Sequence, residues 1–127
     1  MSINSSDLLF RTESYQIINC ALEVHNALGC GLLEKPYENA LCVELRQRNI
    51  PFLQQPRYNV FYKGYVVGEY VPDLVIFNQI IVDTKTVEVI SNIEKAQMLN
   101  YLKITKLRLG IIINFKHPKL QNERVVL

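Results

Sequence analysis

Several hallmarks of membrane, secreted and metal-cluster proteins are missing from this chain. No stretch of its 127 residues approaches the roughly 20 consecutive apolar residues that a helical membrane span needs. Met1 to Arg11 lacks the basic start and long apolar run of a secretory signal, so a cytoplasmic location is expected. Cysteine is scarce and odd in number: Cys20, Cys30 and Cys42 form no C-x-x-C pair, and two histidines are too few to complete a zinc set. They are expected to be reduced, buried thiols, acting as small apolar residues. Repeats, low-complexity tracts and linker-like stretches are absent as well. With 49% hydrophobic and 20% charged residues, one globular domain spanning 1–127 is expected, with 1–10 as a loose N-terminal segment.

A net charge of +2 hides an uneven distribution. Residues 1–94 carry 7 basic and 11 acidic side chains, whereas 95–127 carry 7 basic and 1 acidic. The basic third consists of Lys95, Lys103, Lys106, Arg108, Lys116, Lys119 and Arg124. Such a segment beside acidic residues suits a polyanion held against a carboxylate site, because phosphate contacts supply most non-specific nucleic-acid affinity. The bland alternative is a solvated surface.

Ile18, Ala21, Leu22, His25 and Leu28 recur at three- and four-residue steps, the period of a helix with one apolar face, which Gly29-Cys30-Gly31 ends. A second helix is expected from about Pro36 to Arg48, closed by Asn49. From Pro51 the texture turns β-branched and aromatic. Strands are expected over about Phe52–Tyr62 and Tyr65–Tyr70 around a Lys63-Gly64 turn, with Asp73–Phe77 and Ile80–Lys85 continuing a meander. A third helix over about Asn92–Ile104 has Ser91 or Asn92 as its N-cap. Leu109–Phe115 reads as a strand buried on both faces. The order predicts an α/β fold of the mixed α+β kind: helices flanking a mixed sheet of four to five strands.

Asp73, Asp83 and Lys85 stand out because the strands around them are otherwise uncharged. Charged groups are almost never fully buried unless paired or ligating, so these must reach solvent, each other or a metal. Side chains alternate along a strand, placing Asp83 and Lys85 on one face about 6–7 Å apart. Asp73 joins that face only if paired residues sum to an even number, such as 73 with 83. A two-residue Asn78-Gln79 turn gives an odd sum; a three-residue Phe77-Asn78-Gln79 loop or a bulge gives an even one and is therefore expected. Two carboxylates so arranged suit Mg²⁺, which keeps several waters and bridges to phosphate. A lysine beside them can orient water or neutralise charge on a phosphoryl transition state. The competing reading is a surface Asp–Lys pair at a strand end.

The segment Gly31-Leu32-Leu33-Glu34-Lys35-Pro36-Tyr37 carries a G-x-x-E-x-x-Y pattern. Together with Glu23-Val24-His25, Ala27-Leu28-Gly29, Glu38-Asn39-Ala40-Leu41, Ala96-Gln97, Tyr101-Leu102, Leu109-Gly110 and Ile113-Asn114-Phe115, it resembles the GxxExxY proteins of the PD-(D/E)XK nuclease superfamily over nearly the whole chain. The resemblance implies a restriction-endonuclease-like core. It also implies a Mg²⁺-dependent phosphodiester hydrolase acting on nucleic acid, in the first instance DNA, with Mn²⁺ able to replace Mg²⁺. Asp73 resembles the aspartate of the PD step, Asp83 and Lys85 the acid and lysine of the (D/E)-x-K step, and Glu34 the helix-borne acid that completes the metal set. Gln97 resembles a glutamine that some members place beside the lysine. This chain has Asp83 where the group usually has Glu, one methylene longer. His25, Tyr37, Glu38 and Tyr101 are candidates for support, with core packing and helix capping as their plain alternatives. Two other function classes stay open: a catalytically weak or inactive module binding nucleic acid or a protein, and a purely structural subunit. A homodimer or partner protein would supply the target-reading surface for which a small chain has little room.

Overall fold

The computed structural model describes residues 9–127. The expected loose segment over 1–10 thus lies outside the described residues except at its end. There Leu9 and Phe10 pack against the core, the Leu9 carbonyl accepts from Arg124 at 2.7 Å and the Phe10 carbonyl accepts from the Ser14 hydroxyl at 2.7 Å.

Helix α1 (Arg11–Leu28) begins well before the periodic stretch and ends at Gly29, whose amide bonds the His25 carbonyl. Helix α2 (Glu34–Gln47) starts two residues before Pro36. A proline is tolerated there because first-turn amides have no partner within the helix. Asn49 closes α2 in the left-handed conformation (φ 57°), and the Ile50 amide bonds back to the Leu45 carbonyl.

The long strand expected over Phe52–Tyr62 is two strands, β1 (Phe52–Gln54) and β2 (Tyr58–Tyr62). Gln55 takes a left-handed φ of 52° and Pro56 has no amide to donate, so the ladder cannot run through. The meander is corrected accordingly: β2 and β3 (Tyr65–Tyr70) form a separate two-stranded hairpin, while β1 pairs with β4 (Leu74–Ile76). The main sheet runs β1-β4-β5-β6-β7, with β5 (Ile80–Lys85) at its centre. Strands β5 and β6 (Leu109–Asn114) are parallel and joined through α3 (Asn92–Thr105); the remaining pairs are antiparallel. The last strand, β7 (Gln121–Val126), had no counterpart in the sequence reading.

The sheet separates two apolar layers. Leu74, Ile76, Ile80, Val82, Leu109, Ile111 and Ile113 face α1 and α2, and Val75, Ile81, Ile112 and Val125 face Met98 and Leu102 of α3. Helix α3 is started by a capping box: the Ser91 hydroxyl accepts from the Ile93 amide and Glu94 reaches back to the Ser91 amide at 2.7 Å. It lies so close to β6 that a Cβ on Gly110 would sit 2.4 Å from the Met98 sulfur. Cys20 and Cys42 are buried as expected. Cys30 is exposed, since it sits in the turn between α1 and α2.

Candidate active site

The loop between β4 and β5 is three residues long, Phe77 to Gln79, with Phe77 and Asn78 both at φ 58°. Leu74 pairs with Val82, Val75 with Ile81 and Ile76 with Ile80, an even register. Continued one step beyond the end of β4, the same register sets Asp73 opposite Asp83. Both therefore lie on the face of Val75 and Ile81, toward α3, and Lys85 follows two residues later on the same face. Each aspartate grips the opposite strand. The Asp83 Oδ1 accepts from the Asp73 amide at 3.3 Å, and the Asp73 Oδ2 accepts from the Thr84 amide at 2.8 Å and the Thr84 hydroxyl at 3.0 Å.

These side chains line a cavity of about 330 Å³ with Glu34, Lys35, Glu38, Tyr70, Val71, Thr84 and Tyr101. Its position at the carboxyl end of β5, beside the parallel pair, is where open α/β sheets leave room for ligands. Burial, followed by the negative charge of Asp83, pushes Asp73 up to about 6, against the lowering effect of its Thr84 hydrogen bonds. Burial also raises Asp83, opposed by the Asp73 amide and by Lys85. The Tyr70 hydroxyl is raised by burial and by Asp83. It is fully buried and has no hydrogen-bond partner among the described residues, while its ring stacks on Tyr101 at 3.9 Å.

The G-x-x-E-x-x-Y segment has a local explanation. Gly31, at φ 111°, takes a conformation that side chains disfavour. Tyr37 is buried against Phe115 (4.5 Å, stacked); its hydroxyl donates to the Gly29 carbonyl at 2.7 Å and accepts from the Leu32 amide at 3.3 Å. The tyrosine thus pins the turn that delivers Glu34 to the cavity, without lining it. Glu38, one turn on, is 3% exposed and accepts from Lys35 (2.9 Å), Gln54 (2.6 Å) and Gln55 (3.4 Å). Its charge raises both aspartates.

Gln97 and Glu34 are placed differently from the sequence reading, and His25 takes the core position that was its plain alternative. Gln97 is exposed and does not line the cavity: the seating of Met98 over Gly110 fixes the rotation of α3 and turns the preceding residue outward. His25 is a core residue, 6% exposed, with its Nε2 2.8 Å from the His117 carbonyl. Glu34 reaches the cavity, but its carboxylate is 3.4 Å from the Thr86 amide. The three-acid set of Asp73, Asp83 and Glu34 is therefore not gathered: among the described residues no three His, Cys, Asp or Glu side chains are so placed. Two aspartates remain, and these fit a hard cation such as Mg²⁺, which takes one or two carboxylates and fills the rest of its shell with water. The basic C-terminal third is also partly committed elsewhere. Arg124 bonds Ser14 and the Leu9 carbonyl, Lys95 pairs with Glu123 and Lys116 with Glu88; the cavity's own cations are Lys35 and Lys85.

The sequence reading missed Tyr70, Thr84 and Asn114. The Asn114 side chain is buried and holds the loop after Lys85, accepting from the Val87 amide (3.1 Å) and donating to the Val87 carbonyl (2.7 Å). A polar residue ending an otherwise all-apolar strand was the available signal.

A mixed sheet with helices on both faces carries Asp83 and Lys85 at the end of its central strand and Asp73 beside them, just before β4, an arrangement that suits a metal-dependent, nuclease-like class of protein. Residues 11–125 match the family model of the PD-(D/E)XK nuclease superfamily, and the chain belongs to that superfamily. Its fold is also similar to that in the crystal structure of SSO0001, with a TM-score of 0.57 and 15% identity, covering 94% of this chain. The match spans 60% of that protein's length, and the likeness is one of fold, restriction-endonuclease-like at its core. No curated protein matches the sequence. No helix among the described residues is long and apolar enough to cross a membrane.

Proposed function

We propose that the chain is a single nuclease-like domain of the GxxExxY group that hydrolyses phosphodiester bonds of DNA with the help of Mg²⁺, which Mn²⁺ can replace. The observation that carries this reading is the even register of β4 and β5, which sets Asp73, Asp83 and Lys85 on one wall of a single cavity. Asp73 and Asp83 would hold the cation, and Glu34 and Glu38 would bond its water shell from α2. When bound, the cation supplies charge for the phosphoryl oxygen and a more acidic water.

Electrostatics support the same reading. The cavity holds four carboxylates and two lysine ammonium groups, and burial has already raised both aspartates. A polyanion is repelled from such a site until positive charge enters it. Lys85 opposes the rise that burial gives Asp83 and offers its ammonium to the transferring phosphoryl group. Lys35, at the rim, contacts the backbone of the nucleic acid. The buried Tyr70 hydroxyl donates to an anionic oxygen in the cavity.

A second reading, a module that binds nucleic acid without cutting it, draws on the engagement of Glu34 with Thr86 and on the short side chain at position 83. The test separates the two. Single-stranded, duplex and branched DNA, with RNA of matched sequence alongside, are incubated with the protein and Mg²⁺ or Mn²⁺. Cleavage that needs the cation and disappears in Asp83→Asn and Lys85→Ala is expected. Binding without cleavage supports the second reading, and cleavage untouched by either substitution refutes the first.

A further inference from the structure

Lys85 stands on the last rung of β5, where among the described residues the ladder flanks it on one side only. Strand β4 pairs with β5 no further than Leu74 and Val82, whereas on the other side Lys85 pairs with Asn114 of β6 and its carbonyl accepts from the Phe115 amide at 2.9 Å. The next residues leave the sheet and are fastened to the segment that follows β6. The Asn114 side chain bonds the Val87 amide and carbonyl, and the His117 Nε2 lies 2.6 Å from the Glu88 carbonyl. Whatever fixes residues 114–117 therefore fixes the run from Lys85 to Glu88. Beyond Asn114 this segment lies between β6 and β7, and two helices anchor it. The Phe115 ring is fully buried, stacked on Tyr37 of α2 at 4.5 Å, with the His25 ring of α1 tilted against it at 6.0 Å. The buried His25 Nε2 lies 2.8 Å from the His117 carbonyl. A carbonyl only accepts, so each histidine carries a proton on Nε2 and donates it.

We propose that His25 is a positioning residue for Lys85: from the last turn of α1 it holds the His117 carbonyl, His117 holds the Glu88 carbonyl, and this two-histidine relay fixes the strand end from which Lys85 enters the cavity. The inference rests on the role given to Lys85 in the proposed function. His25 does not line the cavity, so it acts through backbone and not on substrate. The chemistry of the place suits histidine, because one side chain both packs beside Phe115 and donates to a carbonyl; an apolar residue there does only the first. The cost of losing the relay follows from geometry. A catalytic group misplaced by about 1 Å can lose about a hundredfold in rate, even when the change that moves it is remote.

Amide hydrogen exchange and cleavage kinetics on the full chain test this with His25→Leu and His25→Gln. Leucine fills comparable space and donates nothing, whereas glutamine offers a side-chain N–H close to where the imidazole Nε2–H stood. In His25→Leu the Val87 and Phe115 amides are expected to exchange about tenfold faster or more, while Ile81 and Ile111 at the middle of the sheet keep wild-type rates. Over the same substitution kcat is expected to fall about 10–100-fold with KM unchanged. His25→Gln should recover most of both losses. His117→Ala should reproduce His25→Leu, and the double variant should be little worse than either, because members of one relay are not additive. Wild-type exchange at Val87 and Phe115 in His25→Leu overturns the proposal. So does protection lost equally at Ile81 and Ile111, which marks a destabilised fold, or a His25→Gln variant as impaired as His25→Leu. A wild-type protein that cleaves nothing counts against the proposed function instead, and the exchange measurements still decide whether the relay holds the strand end.

Discussion

Replacing Asp73 by Asn is expected to stabilise the free protein at alkaline pH while abolishing its response to divalent cations. Asp73 rises from an ordinary 3.8 to about 6 because it is buried beside Asp83. The folded protein thus holds this proton more tightly than the unfolded chain does. The stability it contributes is present below about pH 4 and lost as pH rises through about 6. A rise of that size corresponds to about 3 kcal/mol, and solvent screening of a half-buried side chain reduces it to about 1–2 kcal/mol. An asparagine keeps an oxygen to accept from the Thr84 amide and hydroxyl and offers an N–H toward Asp83, so the substitution removes charge without orphaning a donor. At roughly 3–5 °C per kcal/mol for a chain of this size, the melting temperature at pH 8 should rise by about 3–10 °C and change little at pH 4. Wild-type protein at pH 8 should gain a comparable rise from Mg²⁺ or Ca²⁺, reversed by EDTA; the variant should gain none. Thermal melts at both pH values, with and without cation, measure all four quantities. A variant less stable than wild type at pH 8, or one that keeps the cation response, refutes the reasoning.

Lys85→Ala removes the charge that lowers Asp83. Asp83 then titrates higher, so the acidic limb of the cleavage pH profile should move to higher pH, and the rate should fall by about 10²–10³ at any pH. Tyr70→Phe deletes a buried hydroxyl that has no partner among the described residues. Denaturant titration should show stability unchanged or raised by up to about 1–3 kcal/mol, with cleavage reduced about tenfold. Asn114→Ala leaves the Val87 amide and carbonyl unpaired. It should cost about 2–4 kcal/mol by the same titration and lower cleavage by loosening the loop after Lys85. Gln97→Ala, on an exposed face of α3, should leave both stability and cleavage close to wild type.

The β4–β5 register was the most legible feature, because only an even register sets both aspartates on one face and only a three-residue loop or a bulge produces it. The helices were legible from their period and punctuation. What sequence could not supply was decided by tertiary contacts. The run from Phe52 to Tyr62 looks continuous, yet Gln55 and Pro56 break it and send β2 into a different sheet. Strand β7 is mostly polar, Gln121-Asn122-Glu123-Arg124, and owes its existence to pairing with β6 at the sheet edge. Helix α3 offers more than one face at its period, and the contact of Met98 with Gly110 chooses the one that leaves Gln97 outside. Tyr70 is 13 residues from Asp83 and 15 from Lys85, and only the return of β3 toward α3 brings it to the cavity.

The central claim is that Asp73 and Asp83 together hold a divalent cation, and a crystal soaked in Mn²⁺ tests it most directly. An anomalous difference map collected at the manganese edge should show one strong peak in the cavity, about 2.0–2.2 Å from an oxygen of each aspartate, with water completing the shell. A saturated crystal with no peak there, or with manganese bound only elsewhere, would contradict the account.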